Sequence, residues 1–213
     1  MCVTTLHNLA SRPAPADPFT LTKTRVHEAE GPGRRSFALF QTLRHPGAVL
    51  WVLPAHEPQR PMLRGLPVGL SERLLLLTPR SETDLLWCVE EALRAAPVAL
   101  VIAEPQQLLS LTAGRRLQLA AETGRTTGLM LIREDHGSSA TETRWRCDPV
   151  SAHVPVSRAA THAAADSTLH RWALSKNKKG TIGHWVVNWH GASAAFDLVP
   201  ETGERRQPAE PAR

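Results

Sequence analysis

Apolar residues in this chain come in short unbroken runs separated by stretches with helical spacing. Ala48-Val49-Leu50-Trp51-Val52-Leu53 is stopped by Pro54. It is too short for a helix and predicts a strand buried on both faces. Leu74-Leu75-Leu76-Leu77-Thr78, closed by Pro79, predicts a second strand of that kind. Val98 to Ile102 and Gly128 to Ile132 predict two more. Between the runs, Phe37, Phe40 and Leu43 recur three apart, as on one helical face, before Pro46-Gly47 ends the segment. Ser81 with Asp84 forms an N-terminal capping pattern, followed by Leu85, Val89 and Leu93 on one stripe. A third helix is expected with Thr112 as its cap, Leu117, Ala120 and Ala121 on its apolar face, and Gly124 at its end.

Strands alternating with helices predict parallel βαβ units, with right-handed crossovers placing helices on both faces of one sheet. After Asp135 the pattern changes. Thr141 to Cys147 alternates around Trp145, and Gly183 to His190 alternates with Trp185, Val187 and Trp189 on one side. Ala194 to Val199 is expected to pair with the latter through the turn at residues 190–193. Residues 148–168, rich in Ala, Ser, His and Pro without a period, read as a loop. Residues 1–20 contain Pro13, Pro15 and Pro18 and are expected to form a flexible lead-in. Residues 200–213 are expected to form a disordered tail. That leaves one domain at 21–199.

A chain of 213 residues is long enough to bury about 70% of its unfolded surface without disulfides or metals. Cys2, Cys88 and Cys147 are widely spaced and odd in number, which fits reduced thiols and a cytoplasmic location. No apolar run approaches the ~20 residues of a membrane span, and no secretory leader pattern opens the sequence. The formal charge is +5 with pI ≈ 9.7, compatible with a nucleic acid partner. Of the four lysines, three lie within Lys176-Asn177-Lys178-Lys179, and that clustering singles out the segment.

The chemistry is defined as much by what is missing. Glu30-Gly31-Pro32-Gly33-Arg34-Arg35-Ser36 precedes the first helix. A phosphate-binding loop of the form G-x-x-x-x-G-K-[ST] cradles phosphates with backbone amides, a Lys and a metal-holding hydroxyl. Here the loop is shorter and lacks Lys, so Gly31, Gly33, Arg35 and Ser36 form at best a degenerate remnant; a plain Gly-Pro turn into a helix is the preferred reading, with weak anion binding at the helix N-terminus as the alternative. Glu104 follows a strand, as a metal-associated acid would, and as solvated loop acids commonly do. The ten histidines show no zinc spacing, and no nucleophile elbow is present. No cofactor, metal or catalytic residue is expected. Trp172, Lys176, Lys178, Lys179 and Trp185 form the best binding candidate, since cations neutralise phosphates and indoles stack on bases. The competing reading is a solvated basic loop flanked by two core tryptophans. Arg115 and Arg116, expected in a first helical turn, oppose the helix dipole and hint at a partner.

Several segments together resemble the ImuA proteins: Glu28 to Ser36, Val49 to Pro54, Leu85-Leu86-Trp87 through Arg94, Leu111-Thr112-Ala113-Gly114-Arg115-Arg116-Leu117-Gln118-Leu119-Ala120-Ala121-Glu122, Thr143 to Arg146, and Gly183-His184-Trp185 through Trp189. The resemblance covers about residues 25–190, and the Leu111–Glu122 stretch is its most specific part. It implies a three-layer RecA-like core, that is, a degenerate P-loop NTPase with a mostly parallel sheet and a C-terminal β extension. It also implies an accessory role without catalysis in DNA-damage-induced (SOS) mutagenesis and translesion synthesis. The implied partners are an ImuB-like Y-family polymerase homologue and an error-prone C-family DNA polymerase, with RecA, DNA and self-association as further possibilities. In the distant likeness to RecA, Ala55 stands where a water-activating Glu would sit, with Glu57 two residues on. Lys176-Asn177-Lys178 resembles a Lys-Asn-Lys whose lysines reach a neighbouring subunit's nucleotide. The alternative is a SulA-like cell-division inhibitor that binds FtsZ. SulA-like chains end soon after the core, whereas this one continues past Ile132.

Overall fold

The computed structural model describes residues 17–61, 66, 68–150, 167–190 and 195–199. The elements run β1 (Val26–Glu30), α1 (Arg34–Arg44), β2 (Ala48–Val52), β3 (Leu74–Leu77), α2 (Glu82–Arg94), β4 (Val98–Ala103), α3 (Leu111–Gly124), β5 (Thr127–Leu131), β6 (Thr143–Val150), β7 (Ser167–Asn177), β8 (Gly183–His190) and β9 (Ala195–Val199). All nine strands belong to one sheet in the order β3-β2-β4-β5-β1-β6-β7-β8-β9. The pairings from β3 through β6 are parallel, and those from β6 through β9 are antiparallel. The architecture is α/β, mostly parallel, and compatible with a RecA-like fold.

Period-two alternation within buried strands divides the core between two faces. Val49 and Trp51 point to one face, where α1 contributes Phe37, Ala38 and Phe40. Leu50 and Val52 point to the other, covered by Leu85, Val89 and Leu93 of α2 and Leu117, Ala120 and Ala121 of α3. The α1 face holds an aromatic cluster in which Trp145 and Trp172 lie 5.0 and 5.1 Å from Phe37. Phe19 joins it, 5.4 Å from Trp172 and 5.5 Å from Phe40. Phe19 and Leu21 are buried, so the lead-in expected over 1–20 gives way to packed structure by Phe19; residues 1–16 and the 200–213 tail lie outside the described residues.

Several expectations need correction. Leu43 is exposed, so the α1 stripe is Phe37 and Phe40 without it. β3 is not buried on both faces: it is the edge strand, and Leu75, Leu76 and Leu77 are 57%, 40% and 38% exposed. The cap of α3 is Ser110, whose hydroxyl accepts from Ala113 N at 3.1 Å, rather than Thr112. The left-handed residue that ends α3 is Arg125 at φ 57°, whereas Gly124 is needed because a Cβ there would collide with the Leu93–Arg94 backbone. Ser81 caps α2 as expected, accepting from Asp84 N at 3.1 Å. β7, along Ser167–Asn177, was not anticipated; it is sandwiched between β6 and β8. The 148–168 loop is shortened accordingly at both ends, and residues 151–166 and the 191–194 turn lie outside the described residues.

Candidate functional site

In parallel α/β sheets, binding chemistry gathers at the carboxyl ends of the strands. Here β1 ends at Glu30 and leads through Gly31-Pro32-Gly33 into α1. β4 ends at Ala103, just before Glu104, and β2 leads to the loop carrying Glu57. Arg35, in the first turn of α1, spans the gap. Its Nε donates to Glu104 Oε1 at 3.0 Å and its Nη2 to Glu104 Oε2 at 2.7 Å, a bidentate fork. Its Nη1 donates to the Gln59 carbonyl at 2.8 Å, and Glu57 lies 3.6 Å from Nη2. Glu104 is only 2% exposed and also accepts from Trp51 Nε1 at 2.9 Å. The Arg35 pKa is raised: burial works against the charge, but the bonds to Glu104 outweigh it.

The loop is likewise engaged by the protein. Gly33 N donates to the Cys147 carbonyl at 2.8 Å, and Arg34 N donates to the Gly31 carbonyl at 3.3 Å. Pro32 has no amide proton to offer. Gly31 holds φ +88°, and a Cβ there would lie 2.5 Å from the Cys147 carbonyl oxygen, so the loop is pressed against β6. Ser36 is half-buried on α1. The four remnant positions therefore form a turn packed on β6 and an arginine locked to an acid. Arg34 Nη1 also turns back on the loop, donating to the Gly31 carbonyl at 3.1 Å. Glu30, beside this loop, is pushed up in pKa by burial, and its Oε2 has no hydrogen-bond partner among the described residues.

The second candidate resolves differently. Trp172 is fully buried in the α1-face core and presents no surface to a base or partner. Trp185 is half-buried, 5.5 Å from Phe19 and 5.8 Å from Trp145. Lys176 Nζ donates to the Ser138 and Ser139 carbonyls at 3.0 Å each and to Thr141 Oγ1 at 3.2 Å. Its pKa is lowered, chiefly by burial. Lys178 Nζ donates to the Ala140 carbonyl at 2.5 Å. Lys179 is exposed and pairs with Glu142 at 3.4 Å. Lys176 and Lys178 thus tie the 138–142 segment to the end of β7, and both Lys178 and Lys179 are exposed. The α3 arginines need correction as well. They lie beyond the first turn, and Arg116 compensates the buried Glu90 at 2.6 Å, sharing it with Arg94.

Two buried polar residues escaped the sequence reading. Glu28 is fully buried, accepting from Ser138 N at 2.7 Å and Arg144 Nε at 2.9 Å. His27 is fully buried between Thr143 Oγ1 at 2.7 Å and the Thr22 carbonyl at 2.9 Å, and burial lowers its pKa to about 4. Neither left a local signal, because β1 reads Val-His-Glu-Ala-Glu and has no apolar run to mark it as a strand. Among the described residues no group of His, Cys, Asp and Glu could hold a metal ion. No helix among them is long and apolar enough to cross a membrane.

No family model matches the chain. Among curated proteins, Protein ImuA from each of two strains of Caulobacter vibrioides is 36% identical over 157 residues, covering 68% of this chain. The chain belongs to the ImuA family. It spans 62% of the length of these ImuA relatives. The SulA-like alternative gains no support from these matches.

Proposed function

We propose that this ImuA-family chain is a non-catalytic accessory protein of DNA-damage-induced mutagenesis and translesion synthesis, built on a degenerate P-loop core of the RecA-like type. It acts by binding an ImuB-like polymerase homologue and an error-prone C-family polymerase, with RecA and DNA as further partners. The observation that carries the non-catalytic part is the Arg35–Glu104 fork. Arg35, where the loop enters α1, and Glu104, the acid after β4, neutralise each other in a pair whose acid is buried. Phosphoryl transfer depends on positioning and charge stabilisation by those parts, and here they stabilise the fold instead. Family membership supports the mutagenesis setting.

The lysine ties hold two of the three clustered cations against the 138–142 backbone, which limits their reach towards a phosphate backbone. That favours protein partners over DNA as the main ligands. The test is association of the purified full chain with an ImuB-like protein, with and without Mg·ATP. The proposal expects a complex that forms without nucleotide and is unchanged by it. Absence of any complex, or a complex that forms only with Mg·ATP, contradicts it.

A further inference from the structure

The helices α2 and α3 lie side by side on one face of the sheet, where both feed the same core. A groove runs between their outer sides, lined by Leu86, Glu90, Ala113, Arg116 and Leu117. Apart from the Glu90–Arg116 ion pair, that lining is apolar. Helical spacing puts Trp87 one turn before Glu90 and Leu119 one turn after Arg116, so each stands on one rim. Trp87 is 61% exposed and Leu119 63%. A single exposed leucine is ordinary, but an indole left mostly in water beside an apolar groove has its large contact area unused.

The charges on these helices are unevenly spent. Every acid of α2 is engaged within the chain. Glu82 accepts from the Gln106 and Gln107 amides, and Asp84 accepts from the capping Ser81 hydroxyl. Glu90 pairs with both Arg94 and Arg116, and Glu91 pairs with Arg94. Glu122, the acid of α3, pairs with Arg25. The cations are in excess. Arg115 is exposed and forms no ion pair among the described residues. Arg116 gives Nη2 to Glu90 and keeps most of its side chain in solvent. The groove therefore combines an apolar floor with unspent positive charge on its α3 rim.

We infer that the α2–α3 groove takes an acidic amphipathic helix of a partner protein, a pairing that rests on the protein-partner reading above. The partner's apolar stripe seats over Leu86, Ala113 and Leu117 between the Trp87 and Leu119 rims, as in helix-in-groove recognition. Its carboxylates face Arg115 and Arg116. A nucleic acid backbone has no apolar stripe to fill such a groove, and a basic helix would set its own cations against arginines that have no spare acid nearby. Trp87 is the expected anchor, since a desolvated indole carries more binding energy than the surrounding contacts.

Association of the full chain with an ImuB-like protein, measured at several salt concentrations, tests the groove. Trp87→Lys and Leu119→Lys are each expected to weaken the complex at least about tenfold. Their thermal midpoints are expected to match the parent, because both side chains are exposed. Arg115→Glu is expected to weaken the complex and flatten its salt dependence, whereas Arg115→Lys keeps both. A complex indifferent to Trp87→Lys, to Leu119→Lys or to Arg115→Glu overturns the groove and leaves the protein-partner reading standing. A parent chain that forms no complex overturns that reading and the groove with it. Self-association of the chain alone that is lost in Trp87→Lys makes a second copy the occupant and also overturns the proposal.

Discussion

At the scale of single residues, two buried polar groups govern measurable behaviour. Glu104 is nearly buried and relies on Arg35 and Trp51. Arg35→Ala strands that carboxylate and is expected to cost about 2–4 kcal/mol, somewhat below a fully buried pair because Arg35 keeps partial exposure. Removing both charges together, as Arg35→Met with Glu104→Leu, is expected to cost less than Arg35→Ala alone; chemical denaturation distinguishes the two. His27 sets a pH dependence. Its folded pKa, about 4, lies below the unfolded value of 6.5 because burial disfavours the charged ring. The unfolded chain therefore binds the extra proton first. The contribution is complete above pH 6.5 and is lost as pH falls from 6.5 towards 4, amounting to about 3 kcal/mol. His45 and His170, also lowered by burial, act in the same direction. Urea denaturation of the parent and of His27→Gln across this window is expected to show a shallower decline in the variant.

At the scale of elements, the lysine-rich end of β7 is a clasp on the 138–142 segment. Lys176→Ala is expected to destabilise the protein by about 1–3 kcal/mol, since it removes the lysine donor from the Ser139 carbonyl and one of the donors to the Ser138 carbonyl. Lys179 is exposed but its partner Glu142 is buried, so Lys179→Ala is expected to cost about 0.5–1 kcal/mol, less than breaking a fully buried pair. Thermal unfolding of the two variants checks the contrast. The same region marks the limit of what the sequence made legible. The apolar runs of β2, β4 and β5 and the cap of α2 could be read directly, because a buried strand or a Ser-x-x-Asp start leaves a local signature. β7 left none: its Ser167–Asn177 stretch mixes His, Arg, Trp and Lys, and it becomes a strand only because β6 and β8 lie on either side. β3 read as buried for the opposite reason. Four leucines signal a strand but do not report whether a neighbour lies beyond it.

At the scale of the whole molecule, the parallel half brings the Gly31–Gly33 loop and Glu104 to one end of the sheet, and the antiparallel half packs against that loop. β6 supplies the Cys147 carbonyl that holds Gly33, and the β6–β9 extension packs Trp145, Trp172 and Val187 onto the α1-face core. That the Glu30–Ser36 loop lacks the lysine and the spacing of a phosphate-binding loop was legible in the sequence. That Arg35 would take the acid at the end of β4 was not, because the two lie 69 residues apart and meet only through the crossovers of the sheet. The central claim is that this closure leaves an ImuA-family chain without nucleotide hydrolysis. Phosphate release from ATP by the purified full chain with Mg²⁺, in the presence and absence of single-stranded DNA, tests it most directly. The account predicts release no faster than a protein-free blank in both conditions. Turnover above the blank that disappears in Glu104→Gln would contradict it.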